Sequence, residues 1–376
     1  MQFIDLHTQR ARISEQINSA LARVMAHGQY ILGPEVQQFE AALAQYGKAQ
    51  YTLSCANGTD AIILALKAWG IGPGDAVFCP SFTYVATAEA AAILGATPVF
   101  IDVDRAFYTS CAKSLAAAIQ MVKDEGKLTP RAFIAVDLFG QLADYRRLAP
   151  LCREHDLKIL ADGAQGFGAE LDGYQALHWA DVTTTSFFPA KPLGCYGDGG
   201  ALLTNDDKLI AITDSLRNHG KGDDKYDNVR IGFNSRLDTL QAAILLEKLK
   251  IFTDELTARR RIAQTYAAAF ENTSIKAPRV ISGGTSTWSI YTVEVENRDE
   301  FVSLMSAANI PTPAYYPTPT HQQSAYKHYP QAPDGLPHTQ QASHKVVALP
   351  MHPYLSQADQ SLIIETALRA AKGQGA

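Results

Sequence analysis

The chain is poor in the features that mark several large classes of protein. Its 376 residues include only five cysteines, Cys55, Cys79, Cys111, Cys152 and Cys195. They are an odd set with no CxxC pair, which argues against a disulfide framework or a zinc site and for reduced thiols. Basic residues are in deficit: 33 Lys and Arg stand against 38 Asp and Glu, a formal net charge of −5. No basic block is present to neutralise the phosphates of a nucleic acid. The start, Met1-Gln-Phe-Ile-Asp-Leu-His, lacks the basic and apolar segments of a secretory signal, and no run is apolar enough to span a bilayer. A cytoplasmic protein with no nucleic-acid or membrane partner is expected. No GxGxxG follows a strand-like run; Gly70-Ile-Gly-Pro-Gly74 has the wrong spacing for a dinucleotide fingerprint. His155, His178 and His219 are isolated, without HExxH or paired spacing, so no metal site is expected.

What is there is an ordinary globular composition, 47% hydrophobic and 19% charged, long enough for two domains with a substantial core. Apolar strand-like runs alternate with helical ones at Ala76 to Cys79, Pro98 to Val103, Ala132 to Leu138, Lys158 to Ala161 and Val182 to Ser186. This rhythm predicts an α/β fold with a mostly parallel sheet covered by helices. From Leu237 to Leu256 the apolar spacing turns helical, with Leu240, Ala243, Ile244, Leu246 and Leu249 marking a face. Beyond it lie a strand candidate, Thr287 to Val295, a helix candidate, Arg298 to Ala308, and a proline-rich stretch from Ile310 to Pro337. A division near residue 250 is expected, giving a large domain over 1–250 and a smaller α+β domain over 251–376. The segment Pro311 to Thr320, dense in Pro, Thr and Tyr, reads equally as a rigid loop facing a ligand or as a linker.

Lys191 is the most informative residue. It lies in Thr185-Ser-Phe-Phe-Pro-Ala-Lys-Pro-Leu-Gly-Cys-Tyr-Gly-Asp-Gly-Gly200. The β-branched run before it reads as a strand, Pro189 and Pro192 deny it a regular helix or ladder, and the glycines after it allow tight turns. A lysine on such a bend can be desolvated and lose its proton, the form that attacks a carbonyl to make a Schiff base. Alone, it is more simply a surface lysine beside a glycine-rich loop. Three upstream features change the balance, since each supplies something else that pyridoxal phosphate requires. Lys158-Ile-Leu-Ala-Asp-Gly-Ala-Gln165 reads as a buried parallel strand ending at Asp162, where a carboxylate can meet a protonated pyridine nitrogen; a cap or turn role explains such an aspartate as often. Ala56-Asn57-Gly58-Thr59-Asp60 reads as a helix start whose free amides and hydroxyl can hold a phosphate, or as a simple cap. Pro80-Ser-Phe-Thr-Tyr-Val-Ala-Thr87 places aromatics at the same sheet edge, and Tyr84 is positioned to stack on a flat ring.

With these residues on the page, the chain resembles the pyridoxal-phosphate-dependent nucleotide-sugar aminotransferases of the DegT/DnrJ/EryC1/StrS family. The resemblance runs through Phe3-Ile-Asp-Leu6, Gly28-Gln-Tyr-Ile-Leu-Gly-Pro-Glu-Val36, Asn57-Gly-Thr-Asp60, Pro80 to Thr87 and Ser186 to Gly194. It continues through Gly232-Phe-Asn-Ser-Arg-Leu-Asp-Thr-Leu-Gln-Ala-Ala243 and Leu349-Pro-Met-His-Pro353. Within the family the chain looks most like enzymes that aminate UDP-2-acetamido-2-deoxy-3-oxo-glucuronate for surface polysaccharides such as O-antigen.

The resemblance implies an aspartate aminotransferase-like fold (fold type I), a three-layer sandwich with a smaller C-terminal domain. It implies pyridoxal 5′-phosphate as cofactor, with Lys191 as the Schiff-base lysine and proton carrier and Asp162 as partner of the ring nitrogen. Gln165 is implied at the ring hydroxyl, Gly58, Thr59 and Ser186 at the phosphate, and Tyr84 over the ring. Asn234 is implied to reach the cofactor of a neighbouring subunit, and hence a homodimer with shared sites. Arg236 is implied at the substrate, where a guanidinium can pair bidentately with a carboxylate, a solvated or intersubunit ion pair being the alternative. Tyr315, Tyr316 and His321 are implied near the substrate as well. The implied partners are L-glutamate as donor and a UDP- or dTDP-linked keto sugar as acceptor, with a 4-keto-6-deoxy sugar or a non-catalytic sensor as rival readings. The chain departs from the family pattern at Ala161 and Gly163 around the aspartate, at Ala190 where relatives carry Ser or Thr, and at Tyr315-Tyr316-Pro317 where uronate relatives have His-Tyr-Pro.

Overall fold

The computed structural model describes residues 1–224 and 226–373. Its centre is a seven-stranded sheet built from β1 (Tyr51–Cys55), β2 (Asp75–Pro80), β3 (Thr97–Ile101), β4 (Thr129–Val136), β5 (Lys158–Asp162), β6 (Val182–Ser186) and β7 (Gly200–Thr204). The order across the sheet is β1-β7-β6-β5-β4-β2-β3. Neighbours from β3 to β6 run parallel, and β7 alone is antiparallel to both its neighbours. The central strands are buried over most of their length because helices cover both faces, so β2, β3, β4 and β5 read as apolar runs and β6 as a β-branched one, none of them alternating. That explains why β2 to β6 are legible in the sequence. The chain has the α/β architecture of a fold type I enzyme.

A second sheet pairs β8 (Tyr291–Glu294) with β9 (Val346–Leu349), antiparallel. It has its own core, in which Tyr266, Phe270, Tyr291, Phe301, Met305 and Ile363 pack together. The helix Arg298–Ala307 lies where the sequence places one, while the strand expected over Thr287 to Val295 is confined to four residues, Tyr291–Glu294, in the second half of that span.

One helix belongs to both cores. It spans Thr239–Phe270, 32 residues with no glycine or proline to stop it, and so runs well past the expected end at Leu256. Its first half is buried on more than one face, at Ala242, Ala243, Ile244 and Leu245, since it packs between the large sheet and the N-terminal helices Ser14–His27 and Pro34–Tyr46. Phe252 and Leu256 then join the cluster of Phe39, Phe167 and Phe187, and Ile262, Ala263, Tyr266 and Phe270 join the small core. Residue 250, where a division was expected, falls inside this helix. The proline-rich stretch after Ile310 is irregular apart from a short 3₁₀ turn at Thr320–Gln322 and the helix Pro337–Lys345. Among the described residues no helix is long and apolar enough to cross a membrane, and the five cysteines are free.

Candidate functional site

The site is assembled at the carboxyl ends of β5 and β6, which the parallel register sets side by side through Asp162 opposite Thr184. Past Ser186 the chain leaves the sheet and makes a closed loop. The Cys195 amide donates to the Phe187 carbonyl at 2.8 Å, and the Lys191 amide donates to the Phe188 carbonyl at 2.8 Å. Gly194 is required by this closure, because a Cβ there would stand 2.5 Å from the Pro189 carbonyl oxygen. Lys191 thereby faces the end of β5. Burial pushes its amine below the usual lysine range, and the charge of Asp162 opposes that shift.

Asp162 is the complementary group. Burial raises its carboxyl above the usual range, while the Ala164 amide, the charge of Lys191 and the Thr87 hydroxyl pull it back. Its Oδ1 accepts from Ala164 N–H at 3.2 Å and its Oδ2 from Thr87 Oγ1 at 3.0 Å. Thr87 in turn lies 3.1 Å from Thr83 Oγ1, and both threonines are buried. Sequence reasoning did not find this pair, since Thr83 lies in the bend after β2 and Thr87 in the helix Ala86–Ile93, and their approach depends on how that bend turns. A second buried carboxyl, Asp137, follows β4 directly; it accepts from the Ala143 amide and the Tyr145 hydroxyl, each at 2.9 Å. Burial pushes it up to about 8, and the neighbouring charge of Asp162 adds to the rise.

The anion cradle lies opposite. The helix Gly58–Ala68 starts at Asn57, whose side chain accepts the Asp60 amide at 2.8 Å, so the amides of Gly58 and Thr59 are left at the open end of the helix. The antiparallel pairing of Ser186 with Gly200 brings this helix start against the end of β6. Contact is close enough that a Cβ on Gly58 would sit 2.6 Å from Ser186 Cβ, and one on Gly200 only 2.3 Å from the Asn57 carbonyl oxygen. Two amides, the Thr59 and Ser186 hydroxyls and the positive end of the helix dipole therefore fit a phosphate. With an amine and a carboxylate facing each other beside that cradle, the residues present suit pyridoxal phosphate.

Aromatic side chains close the rim. Gln165 Oε1 accepts from the Phe139 amide at 2.7 Å and its Nε2 donates to the Tyr316 hydroxyl at 3.1 Å, which fixes the amide's orientation. Tyr316 stands edge-on to Phe82 and 6.4 Å from the exposed ring of Tyr84. Tyr315 is half-buried against Phe3. His321 is held at the end of β2: Nδ1 lies 2.6 Å from Ser81 Oγ, which also accepts the His321 amide at 3.0 Å. Burial lowers the affinity of that ring for a proton, against the charge of Asp102.

Asn234 and Arg236 lie elsewhere. They line a separate hollow of about 380 Å³ with Ile31, Ala56, Asp198 and Gln241. Arg236 donates to the side-chain oxygens of Asn218, at 3.0 Å, and of Asn234. Ser235 joins the two places, since its hydroxyl donates to Asp60 at 2.6 Å and accepts the Ala56 amide at 3.2 Å. Lys191, Asp162, Gln165, Ser186 and the Gly58 helix start thus converge, while Asn234 and Arg236 sit on the neighbouring face. Among the described residues no group of three or more His, Cys, Asp or Glu is placed to hold a metal.

Known proteins share this arrangement. Residues 11–368 match the DegT/DnrJ/EryC1/StrS aminotransferase family. The UDP-2-acetamido-2-deoxy-3-oxo-D-glucuronate aminotransferase of Pseudomonas aeruginosa is 44% identical over 365 residues, 96% of this chain and 98% of that protein. The crystal structure of a DegT DnrJ EryC1 StrS aminotransferase from Brucella abortus superposes with a TM-score of 0.96 at 50% identity, covering 98% of each chain. The crystal structure of ntda from Bacillus subtilis with bound cofactor PMP has a TM-score of 0.86 at 28% identity, covering 98% of this chain and 83% of that one. By sequence over nearly its whole length and by fold, the chain belongs to the DegT/DnrJ/EryC1/StrS aminotransferase family.

Proposed function

We propose that the chain is a pyridoxal-phosphate-dependent transaminase that moves the amino group of L-glutamate onto a keto nucleotide sugar, namely UDP-2-acetamido-2-deoxy-3-oxo-glucuronate. The observation that carries this reading is the desolvated amine of Lys191 facing buried Asp162 beside a glycine-built anion cradle, in a chain 44% identical to an enzyme of that activity. When bound, the cofactor supplies an aldehyde carbon that captures amines and a ring that withdraws electrons. Gly58, Thr59 and Ser186 hold its phosphate, Tyr84 covers the ring, and Gln165 meets the ring hydroxyl. Asp162, oriented by Thr87 and Ala164, meets the ring nitrogen. Lys191 is the point of attachment and the base. Its Nζ takes the proton from the α-carbon of the donor and later returns one to the sugar carbon that gains nitrogen.

The acceptor side of the site belongs to the same proposal. Arg236 pairs with the uronate carboxylate, and Asn234 reaches the cofactor phosphate of a partner subunit, so that the working unit is a homodimer. Tyr226 and Ile231, each 86% exposed on the segment leading to Asn234, support that reading by presenting apolar surface to a second copy. Tyr315, Tyr316 and His321 border the sugar. The lobes 1–250 and 251–376 meet within the long helix, supported by the change in its packing partners along its length. The enzyme is placed in the cytoplasm, making an amino sugar for O-antigen or lipopolysaccharide.

Purified protein given pyridoxal phosphate should show a visible absorbance band that shifts on addition of L-glutamate. In a panel of keto nucleotide sugars, the 3-oxo-glucuronate should be aminated fastest. Faster amination of a 4-keto-6-deoxy sugar would reassign the substrate, and absence of the band would remove the cofactor.

A further inference from the structure

Lys248 is an expensive residue for its position. It lies in the first half of the Thr239–Phe270 helix and is 2% exposed. Removing an ammonium from water costs several kcal/mol unless polar partners replace the lost hydration, and an apolar side chain of the same length is often cheaper there. Burial pushes its amine down to about 8, opposed by the charge of Glu255. Its partners show where that cost is directed. Nζ donates to the Gly194 carbonyl at 2.5 Å and lies 4.5 Å from the centre of the Tyr196 ring. Gln241, seven residues earlier on the same helix face, accepts the Tyr196 amide at 2.9 Å. The helix therefore grips the chain on both sides of Cys195, the residue whose amide closes the loop onto Phe187. Gly194 is three residues from Lys191, and its own packing against Pro189 and Phe188 allows no slack.

We propose that Lys248 is a positioning residue for amino transfer: its ammonium pins the Gly194 carbonyl and so fixes the turn from which Lys191 reaches Asp162. The proposal rests on Lys191 being the reacting amine. Small displacements of a reacting group cost rate steeply, so a pin three residues away has kinetic weight.

The test compares Lys248→Met, which keeps the stem and removes the donor, with Lys248→Arg, which keeps a cationic donor. In cofactor-free protein, Lys248→Met should speed hydrogen exchange at the Lys191 and Cys195 amides by about tenfold while amides of β4 and β5 are unchanged. In the loaded enzyme, kcat should fall roughly tenfold to a hundredfold with the KM for L-glutamate within about twofold of the parent. Lys248→Arg should recover most of both. Unchanged loop exchange, unchanged kcat, or exchange that quickens equally through β4 and β5 would each overturn the pin. If Lys248→Met does not fold, Lys248→Leu, which also removes the donor, takes its place in the comparison under the same criteria. Borohydride trapping with peptide mapping separates the two failures. Cofactor found on another lysine overturns the assignment of Lys191 and this proposal with it. Cofactor on Lys191 with unchanged loop exchange overturns the pin alone.

Discussion

Around Lys191 the polar groups are tied to strand ends and a helix start, buried and mutually bonded; around Arg236 they lie on a loop segment, held by the side-chain amides of Asn218 and Asn234, beside a hollow and an exposed apolar stretch. The first region draws its acid, its amine and its helix-start cradle from a single chain. These groups are set by the register of β5, β6 and β7. The second has its cation in place but, among the described residues, no carboxylate hydrogen-bonded to it, as suits a surface that takes its counterpart from a ligand or another subunit. The difference separates groups held by the sheet from groups held on a loop, where function is commonly tuned.

The largest expected effect comes from Lys191→Ala, which should eliminate turnover and the cofactor's visible band while leaving the melting temperature near that of the parent. Transamination retained at the parental rate would break the comparison, because the deep region would then lack its reacting group. Arg236→Ala should act on one substrate only. The KM for an acidic keto sugar is expected to rise about 10- to 100-fold, the loss of one charge-assisted pair, with the KM for L-glutamate little changed. Equal effects on both substrates, read from initial rates, would merge the two regions into one.

The smallest effect is on stability and tests whether burial governs the deep region. Asp137 is raised from its ordinary 3.8 to about 8 in the folded chain. Between roughly pH 4 and pH 8 the folded protein therefore holds a proton that the unfolded chain has released, so this group's contribution to stability falls as pH rises through that window and levels off above it. Asp137→Asn should flatten the dependence of melting temperature on pH between 5 and 8. A slope identical to the parent's would show that the carboxyl is ionised in place.

How much of this could be read beforehand depended on whether the signal was local. The strand Val182–Ser186 was found to the residue because β-branched side chains filled it and prolines followed; Asp162 was found because an apolar run ended on it. The strands Tyr51–Cys55 and Gly200–Thr204 were not, since their pairing is antiparallel across nearly 150 residues and the second follows directly on a glycine-rich loop. The bond from Thr87 to Asp162 was invisible for the same reason: it depends on a turn after β2 folding over the end of β5. Asn234 and Arg236 lie close together in sequence, but nothing local indicates that they line a hollow apart from this chain's own Lys191.

The helix that serves both cores carries a mechanical consequence. At about 1.5 Å per residue its 32 residues make an unbroken rod of roughly 48 Å. In its second half, Arg259 is anchored to the Trp288 and Met351 carbonyls and Tyr266, farther along, to that of Pro350, while Gln241 and Lys248 clasp the turn that carries Lys191 from the near end. The small sheet is thus coupled to the turn that carries Lys191 by a stiff lever, and a tilt of that sheet would be felt at Gly194 without any intervening hinge to absorb it.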